Sequence, residues 1–281
     1  MLATCMIAIA SFIRGIESAS PLPAKFSISL GFLILSSLLI TFYKLRPGST
    51  FKSPLYEGDR FSWQIFMILV IGGISELIGS IAVLESLKAA QEGNINQGMV
   101  ASINMLNLVI VTVLSYFFFN ERVSLIQLIG ILIVIAAIIT LSCTGPESPP
   151  SISQSTTSKA SGMVSVTIWA VVSSLSISAC IMCNKWLAIH KNISGDISSP
   201  YILLIEGTIG TVCLVITTLS GSGLHELSSG SFWFLMLATF FLYTAIIMAN
   251  YTISIGIAGV VLSILNSNAA LHVVLSAIFL G

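Results

Sequence analysis

Apolar segments long enough to cross a bilayer recur along the whole chain, and they constrain its fold more than any other feature. A helix rises about 1.5 Å per residue, so hydrocarbon about 30 Å thick requires roughly 20 apolar residues. Eight such spans are predicted, at Phe26–Leu45, Ser62–Leu87, Gln97–Phe119, Ser124–Cys143, Met163–Ile189, Pro200–Leu219, Ser231–Ile255 and Gly259–Leu280. A ninth, Leu2–Ser18, is marginal because its uncharged apolar part ends at Ile13.

The composition leaves no room for a separate water-soluble domain. Only 8% of the residues are charged, 56% are apolar, and the mean hydropathy is +1.02. These values are typical of chains that are embedded in a bilayer. The formal net charge is zero, which gives no reason to expect a nucleic-acid partner. Nothing in the sequence distinguishes the plasma membrane from an endomembrane.

Residues that could perform catalysis or bind a metal are not found at the required spacing. His225 and Glu226 begin a zinc-protease pattern, but the second His four residues after the first is missing, and there is no G-x-S-x-G. Cys180 and Cys183 form a CxxC pair inside a predicted span without further ligands, which favours packing. The sequence therefore predicts no enzyme activity, no catalytic residue, no metal site and no cofactor.

A tract rich in Pro, Ser and Thr divides the chain. Residues 144–162 read TGPESPPSISQSTTSKASG and contain too few apolar side chains to form a core. We predict a linker there, between a first unit at residues 1–143 and a second unit at residues 163–281.

The two units are related in sequence. A shift of 161 residues places Gly98–Asn120 on Gly259–Gly281 with nine of 23 positions identical, and it aligns Asn107 with Asn268. Such self-similarity indicates a duplicated architecture. The first unit continues into a fifth span, whereas the sequence ends at Gly281, so we expect nine spans and a missing tenth, through truncation of a ten-span protein.

Basic residues in the predicted loops favour one orientation. Seven lie on one side of the membrane and four on the other, which makes the first side cytoplasmic. The seven are Lys44, Arg46, Lys52, Arg60, Arg122, Lys185 and Lys191, and the four are Arg14, Lys25, Lys88 and Lys159. Units with an odd number of spans are then inverted relative to each other, as in many secondary carriers. The expected fold is all-α and membrane-integral, with two inverted-topology repeats of about five helices.

The boundary between the fourth and fifth spans carries a motif. The fourth span ends in FFFNE (Phe117–Glu121), and SLIQLIG (Ser124–Gly130) opens the fifth. This acidic residue followed by a Gln-x-x-Gly helix resembles the EamA-type repeat of the drug/metabolite transporter superfamily. The likeness covers nearly the whole chain, except that the second copy of the motif is absent. The resemblance implies alternating access around a central cavity lined by both repeats, with cargo that varies within the family from amino acids to nucleotide sugars.

Two carboxyl groups lie deep in predicted spans and are the foremost site candidates. A charged side chain in hydrocarbon costs roughly 2.5–3.5 kcal/mol on insertion scales, so those that occur usually face a cavity or a partner. Glu76 and Glu206 are therefore predicted to line the cavity and to couple transport to protons. The alternative for each is a structural carboxyl that is hydrogen-bonded to a neighbouring helix.

Amide and hydroxyl side chains recur at helical spacing in the two aligned spans. They predict a polar stripe that faces the cavity, with ordinary helix packing as the alternative. The candidates are Asn104, Asn107 and Thr112 in the first unit and Asn266, Asn268 and His272 in the second. Lys185, close to a span end beside Trp186, is interpreted as a lysine that extends to the membrane interface, with an anion contact as the alternative.

Together these features predict a carrier of a small solute. Because the deep ionisable groups are mostly acidic, they favour a neutral or cationic metabolite with proton coupling, and a nucleotide sugar or other organic anion is the alternative cargo. A receptor or scaffold derived from a truncated carrier is the alternative function. The expected partners are the solute and the lipid bilayer, and homodimerisation is left open.

Overall fold

A computed structural model describes most of the apolar segments. It covers residues 21–46, 53–92, 106–125, 156–219 and 229–266, with isolated positions at 6, 100, 103, 128–129, 131–133, 136 and 140. These residues form the helices α1 (Pro21–Leu45), α2 (Trp63–Glu92), α3 (Leu106–Phe119), α4 (Thr156–Lys191), α5 (Gly195–Leu219), α6 (Ser229–Ile255) and α7 (Ala258–Asn266). Two short strands, β1 (Tyr56–Glu57) and β2 (Arg60–Phe61), form an antiparallel hairpin between α1 and α2.

Five of the described helices, α1, α2, α4, α5 and α6, are long and apolar enough to cross a membrane. Only 33–39% of the most apolar window of each lies buried inside the protein. Much of the remaining surface is apolar: Leu38, Phe42 and Leu219 are 63%, 60% and 83% exposed. Large apolar side chains on this outer surface suit lipid, because lipid does not penalise their exposure as water does.

Helices α4 and α5 begin earlier than their hydropathy predicts, as does α1, which begins at Pro21 instead of Phe26. Helix α4 begins at Thr156, so it extends into the segment predicted as linker, where no proline follows Pro150 to stop the helix. Helix α5 begins at Gly195 and contains Pro200, whose position was predicted to start the span. The carbonyl of Ser194 accepts the N–H groups of Ile197 and Ser198, which begins the helix before the proline.

Parts of four predicted spans lie outside the described residues. Of Leu2–Ser18 only Met6 is described, and of Ser124–Cys143 only scattered positions are described. Helices α3 and α7 belong to the aligned pair of spans, and most of Gln97–Leu106 and all of Ser267–Leu280 likewise lie outside.

The two units interlock rather than pack side by side. Helix α2 of the first unit packs most extensively on α4 of the second, and α1 packs on α5 and α6. Glycines permit close approaches: a Cβ at Gly207 of α5 would lie 2.5 Å from the backbone nitrogen of Leu33 in α1, and one at Gly73 of α2 would lie 2.9 Å from the Ile202 carbonyl oxygen. Small residues at such crossings let helix backbones approach in a membrane.

The hairpin was not predicted from the sequence. It turns through Gly58, which adopts φ of +65°, and Asp59, as glycine often does at the first position of a two-residue hairpin loop. Glu57 accepts a hydrogen bond of 2.6 Å from the Nζ of Lys191, the last residue of α4, and so fastens the hairpin to that helix end. The hydrogen bond from Lys191 lowers the pKa of the Glu57 carboxyl below its usual value.

Candidate functional site

A cavity of about 230 Å³ lies among α2, α3, α4, α6 and α7. Its wall is mostly apolar and includes a few polar side chains, which is the usual composition of a small-molecule site. The polar residues are Glu76, Ser80, Asn107, Cys180 and Asn250. Both units contribute, since α2 and α3 belong to the first and the other three helices to the second.

Glu76 lies near the middle of α2, is partly buried, and is one of the residues that line the cavity. Cys180, on the facing helix α4, lines the same cavity and lies close enough to this carboxylate to interact with it. The carboxyl group is therefore presented to the cavity within hydrogen-bonding reach of a second helix.

Glu206 lies behind the cavity wall instead of lining it. The residue is 1% exposed and sits on α5, which packs against both α1 and α2. Its Oε1 accepts a hydrogen bond of 3.1 Å from Ser80 Oγ, and Ser80 lines the cavity. Glu206 thus reaches the cavity through the hydroxyl of Ser80, which was not among the predicted site residues. Ser80 follows Glu76 by one helical turn, which is the signal that could have identified it.

The amide and hydroxyl candidates of the first unit separate into two groups. Asn107 is 8% exposed and lines the cavity. Thr112 donates a hydrogen bond of 2.7 Å to the Leu108 carbonyl and packs against Gly259 of α7, so it lies at a helix contact and not at the described wall. Asn104 lies outside the described residues.

The candidates of the second unit lie at the edge of the described region. Asn266 is the last residue of α7, and its side chain is not among those described. Asn268 and His272 lie outside the described residues. The second unit instead supplies Asn250 of α6, which is 5% exposed and lines the cavity. An amide within an apolar span, near its carboxyl end, was the available signal for this residue.

Lys185 does not extend to the membrane interface, so that interpretation is wrong. Its side chain is 3% exposed and forms an ion pair with Glu121. Its Nζ also donates to the carbonyl oxygens of Ile253, at 3.1 Å, and Gly256, at 2.5 Å. Helix α6 ends at Ile255 and α7 begins at Ala258. The interruption between the two helices leaves carbonyl groups at the end of α6 that need a hydrogen-bond donor. The ammonium group supplies one, because all three of its N–H groups find acceptors.

Glu121 reaches this position through a defined helix end. Asn120 adopts φ of +53°, the left-handed conformation that commonly ends a helix, and the Glu121 N–H bonds to the Ser115 carbonyl at 3.3 Å. The Glu121 Oε2 then accepts the N–H of Ala258, the first residue of α7, at 3.2 Å. One carboxylate thus pairs with a buried lysine and caps the next helix.

Within the described part of the chain, no group of three or more His, Cys, Asp or Glu residues is arranged to hold a metal ion. The polar groups on the cavity wall suit hydrogen bonding and charge pairing with a small organic molecule.

The five long apolar helices and their apolar outer surface define an α-helical, multi-pass membrane protein. No protein-family model and no curated protein matches the sequence. Thirteen chains of solved structures match the fold. One of these, a crystal structure, aligns with a TM-score of 0.63 at 16% sequence identity. The alignment covers 98% of this chain and 89% of the matching chain. At this identity the likeness is one of fold.

Proposed function

We propose that the protein carries a small neutral or cationic metabolite across the membrane by alternating access. The observation that carries the proposal is the cavity itself, formed between helices of both units and lined by Glu76, Asn107 and Asn250. In helical carriers the solute site lies near the bilayer midplane, where two structural repeats meet.

The repeat architecture is part of the proposal. We infer two inverted repeats of about five helices each, in an EamA-like arrangement of the drug/metabolite transporter superfamily. The sequence identity between Gly98–Asn120 and Gly259–Gly281 supports the duplication, and the interlocked packing of the units supports a site shared between them.

The charges at the cavity favour a neutral or cationic solute. Glu76 lines the wall, and among the described residues no Lys or Arg does. Lys185, the buried lysine of α4, is already held by Glu121 and two backbone carbonyls. An organic anion normally requires a basic side chain at the site, because bare negative charge in hydrocarbon is costly.

Proton coupling is proposed for the cluster of Glu76, Ser80 and Glu206. Ser80 lies one turn from Glu76 and bonds to Glu206, so two carboxyl groups flank one hydroxyl. Two negative charges close together in a low dielectric repel each other, and a proton bound by the cluster relieves that repulsion. A cationic solute that enters the cavity would have the same effect, so proton and solute would exchange.

A ligand screen followed by a transport assay tests the proposal. Purified protein is heated with amino acids, polyamines, nucleosides, nucleotide sugars, sugar phosphates and cationic drugs. A specific ligand at one hundred times its Kd stabilises the native state by about 2.7 kcal/mol. Each ligand found is then assayed by counterflow in proteoliposomes. We expect counterflow of an amine or a neutral metabolite. Binding without counterflow by folded protein would instead support a receptor or scaffold, and binding of anions alone would contradict the assigned cargo class.

A further inference from the structure

Lys185 and Glu121 meet at the break between α6 and α7. The ammonium group contacts the carbonyls of Ile253 and Gly256, at the carboxyl end of α6. The carboxylate contacts the N–H of Ala258, at the amino end of α7. Lys185 belongs to α4 and Glu121 follows α3, so four helices converge on one ion pair.

The charges match the helix ends that they contact. A helix carries partial negative charge at its carboxyl end and partial positive charge at its amino end. The lysine therefore neutralises the end of α6, the glutamate neutralises the start of α7, and the two ions neutralise each other. Lys185 is 3% exposed and Glu121 15% exposed, so screening by water is weak. Removal of either partner leaves the other charge poorly compensated.

The network lies beside one end of the cavity. Ile253 contributes its carbonyl to the network and is also one of the residues that line the cavity. Leu262 and Leu265 of α7 also line the wall. Cys180, another wall residue, precedes Lys185 by five positions on α4, which is about 7.5 Å along the helix axis. The position of α7 relative to α6 therefore determines the shape of the cavity at this end.

We propose that the Lys185–Glu121 network is a latch that holds the cavity closed at the end where α4 terminates. While the network is formed, α6, α7, α4 and the segment after α3 are fixed together. When it opens, α7 moves about the break at Gly256 and Ile257, and the cavity becomes accessible from the side of Lys191. The opening is a step of transport if the proposed function holds, but the latch itself can be tested without a solute.

Cys180 is a natural reporter, because it lines the cavity and is 2% exposed in the latched state. The substitutions Cys5→Ser, Cys143→Ser, Cys183→Ser and Cys213→Ser leave it as the sole thiol. The full chain is placed in vesicles of known orientation, and a membrane-impermeant maleimide is added to the side of Lys191. We expect Lys185→Met and Glu121→Gln each to increase the labelling rate at least about tenfold from this side, and to leave labelling from the opposite side unchanged.

Lys191→Met is the matched control. It removes a lysine from the same helix and breaks an ion pair, the one with Glu57, but it does not contact the helix break. We expect its labelling rate to stay within about twofold of the parent rate. An equal increase in Lys191→Met, or an unchanged rate in folded Lys185→Met and Glu121→Gln, would overturn the latch.

Glu121→Asp provides the answer if the other latch variants do not fold. This substitution shortens the side chain by one methylene group but keeps a carboxylate opposite Lys185. Its labelling rate should lie between those of the parent and Glu121→Gln. A folded Glu121→Asp protein that labels at the parent rate contradicts the latch. If labelling changes as expected but no solute is transported, the transport proposal alone is contradicted. If the protein transports solute but labelling is unchanged in the variants, the latch alone is contradicted.

Discussion

Ser80 donates a hydrogen bond of 3.1 Å to Glu206 and thereby joins a carboxyl behind the cavity wall to a hydroxyl on it. Glu206 is 1% exposed, so its exchange of protons with a solute in the cavity requires a group that reaches both. Ser80 is such a group. Its position, one turn from Glu76, makes it the connection between the two acidic residues of the proposed site.

Replacement of this hydroxyl should alter the pH dependence of the protein. We expect Ser80→Ala to remove a donor from Glu206, to shift the pH profile of ligand binding, and to destabilise the fold by about 1 kcal/mol. Ser80→Thr keeps a hydroxyl and should retain the parent profile. The measurements are ligand-induced thermal shifts at a series of pH values and unfolding in mixed detergent. An unchanged profile in Ser80→Ala would show that Glu206 has no part in the proton chemistry.

Glu76→Gln should weaken the binding of cationic ligands. Loss of the carboxylate removes a charge-assisted interaction worth about 1.5–3 kcal/mol, so affinity should fall at least about tenfold. Glu92→Gln is the control, since Glu92 lies on the same helix but is exposed and pairs with Lys88 at 3.9 Å. The Kd of each variant is determined by isothermal titration with the best cationic ligand. Equal affinities of the two variants would remove Glu76 from the binding site.

Gly207→Ala should destabilise the packing of α5 on α1. The new Cβ would lie 2.5 Å from the Leu33 nitrogen and 2.8 Å from the Ser29 carbonyl oxygen, which are backbone atoms that cannot rotate away. The two helices must separate, at a cost of about 1–3 kcal/mol. Thr208→Ala, at the exposed neighbouring position, should have little effect. Thermal unfolding of both variants in one detergent gives the comparison, and equal melting temperatures would contradict the close crossing.

Attachment of the hairpin to α4 should depend on pH and salt. Lys191 lowers the pKa of Glu57 below its ordinary value of 4.5, so the attachment contributes fully above pH 4.5 and is lost as pH falls through the lowered pKa. Salt should weaken it, because the Glu57 side chain is 53% exposed. In Lys191→Met the Glu57 pKa should return toward its ordinary value. Carbon-13 NMR of the Glu57 carboxyl measures both titrations, and identical curves would rule out the pairing in solution.

Hydropathy predicted the long helices well because burial in lipid is a property of each segment by itself. The ends of α1 and α6 agree with prediction at Leu45 and Ile255. The start of α4 was missed because its first turns, from Thr156 to Gly162, are helical but not apolar. The hairpin was missed because strands of two residues have no measurable periodicity, although Gly58 and Asp59 were a signal for a tight turn.

Cavity-lining residues could be predicted where a polar side chain is by itself energetically costly in an apolar span. Residues whose role depends on a partner distant in sequence could not. Glu76 and Asn107 stand out in apolar spans, and both line the cavity. Lys185 was misread because its partner Glu121 and the carbonyls of the α6 break are distant in sequence. Ser80 was overlooked because serine in a membrane helix is usually a packing residue, and only the fold brings Glu206 to it.

The interlocking of the two units affects how the protein is made. The contact between Ser80 and Glu206 joins residues separated by 126 positions, and α2 finds its main partner α4 only in the second unit. At a synthesis rate of about 5–20 residues per second, roughly 6–25 s pass before the second of these residues is made. During that time Glu76 and Ser80 of α2 lie in the membrane without their final neighbours. We therefore expect the early helices to depend on the translocon or a chaperone until the later ones emerge.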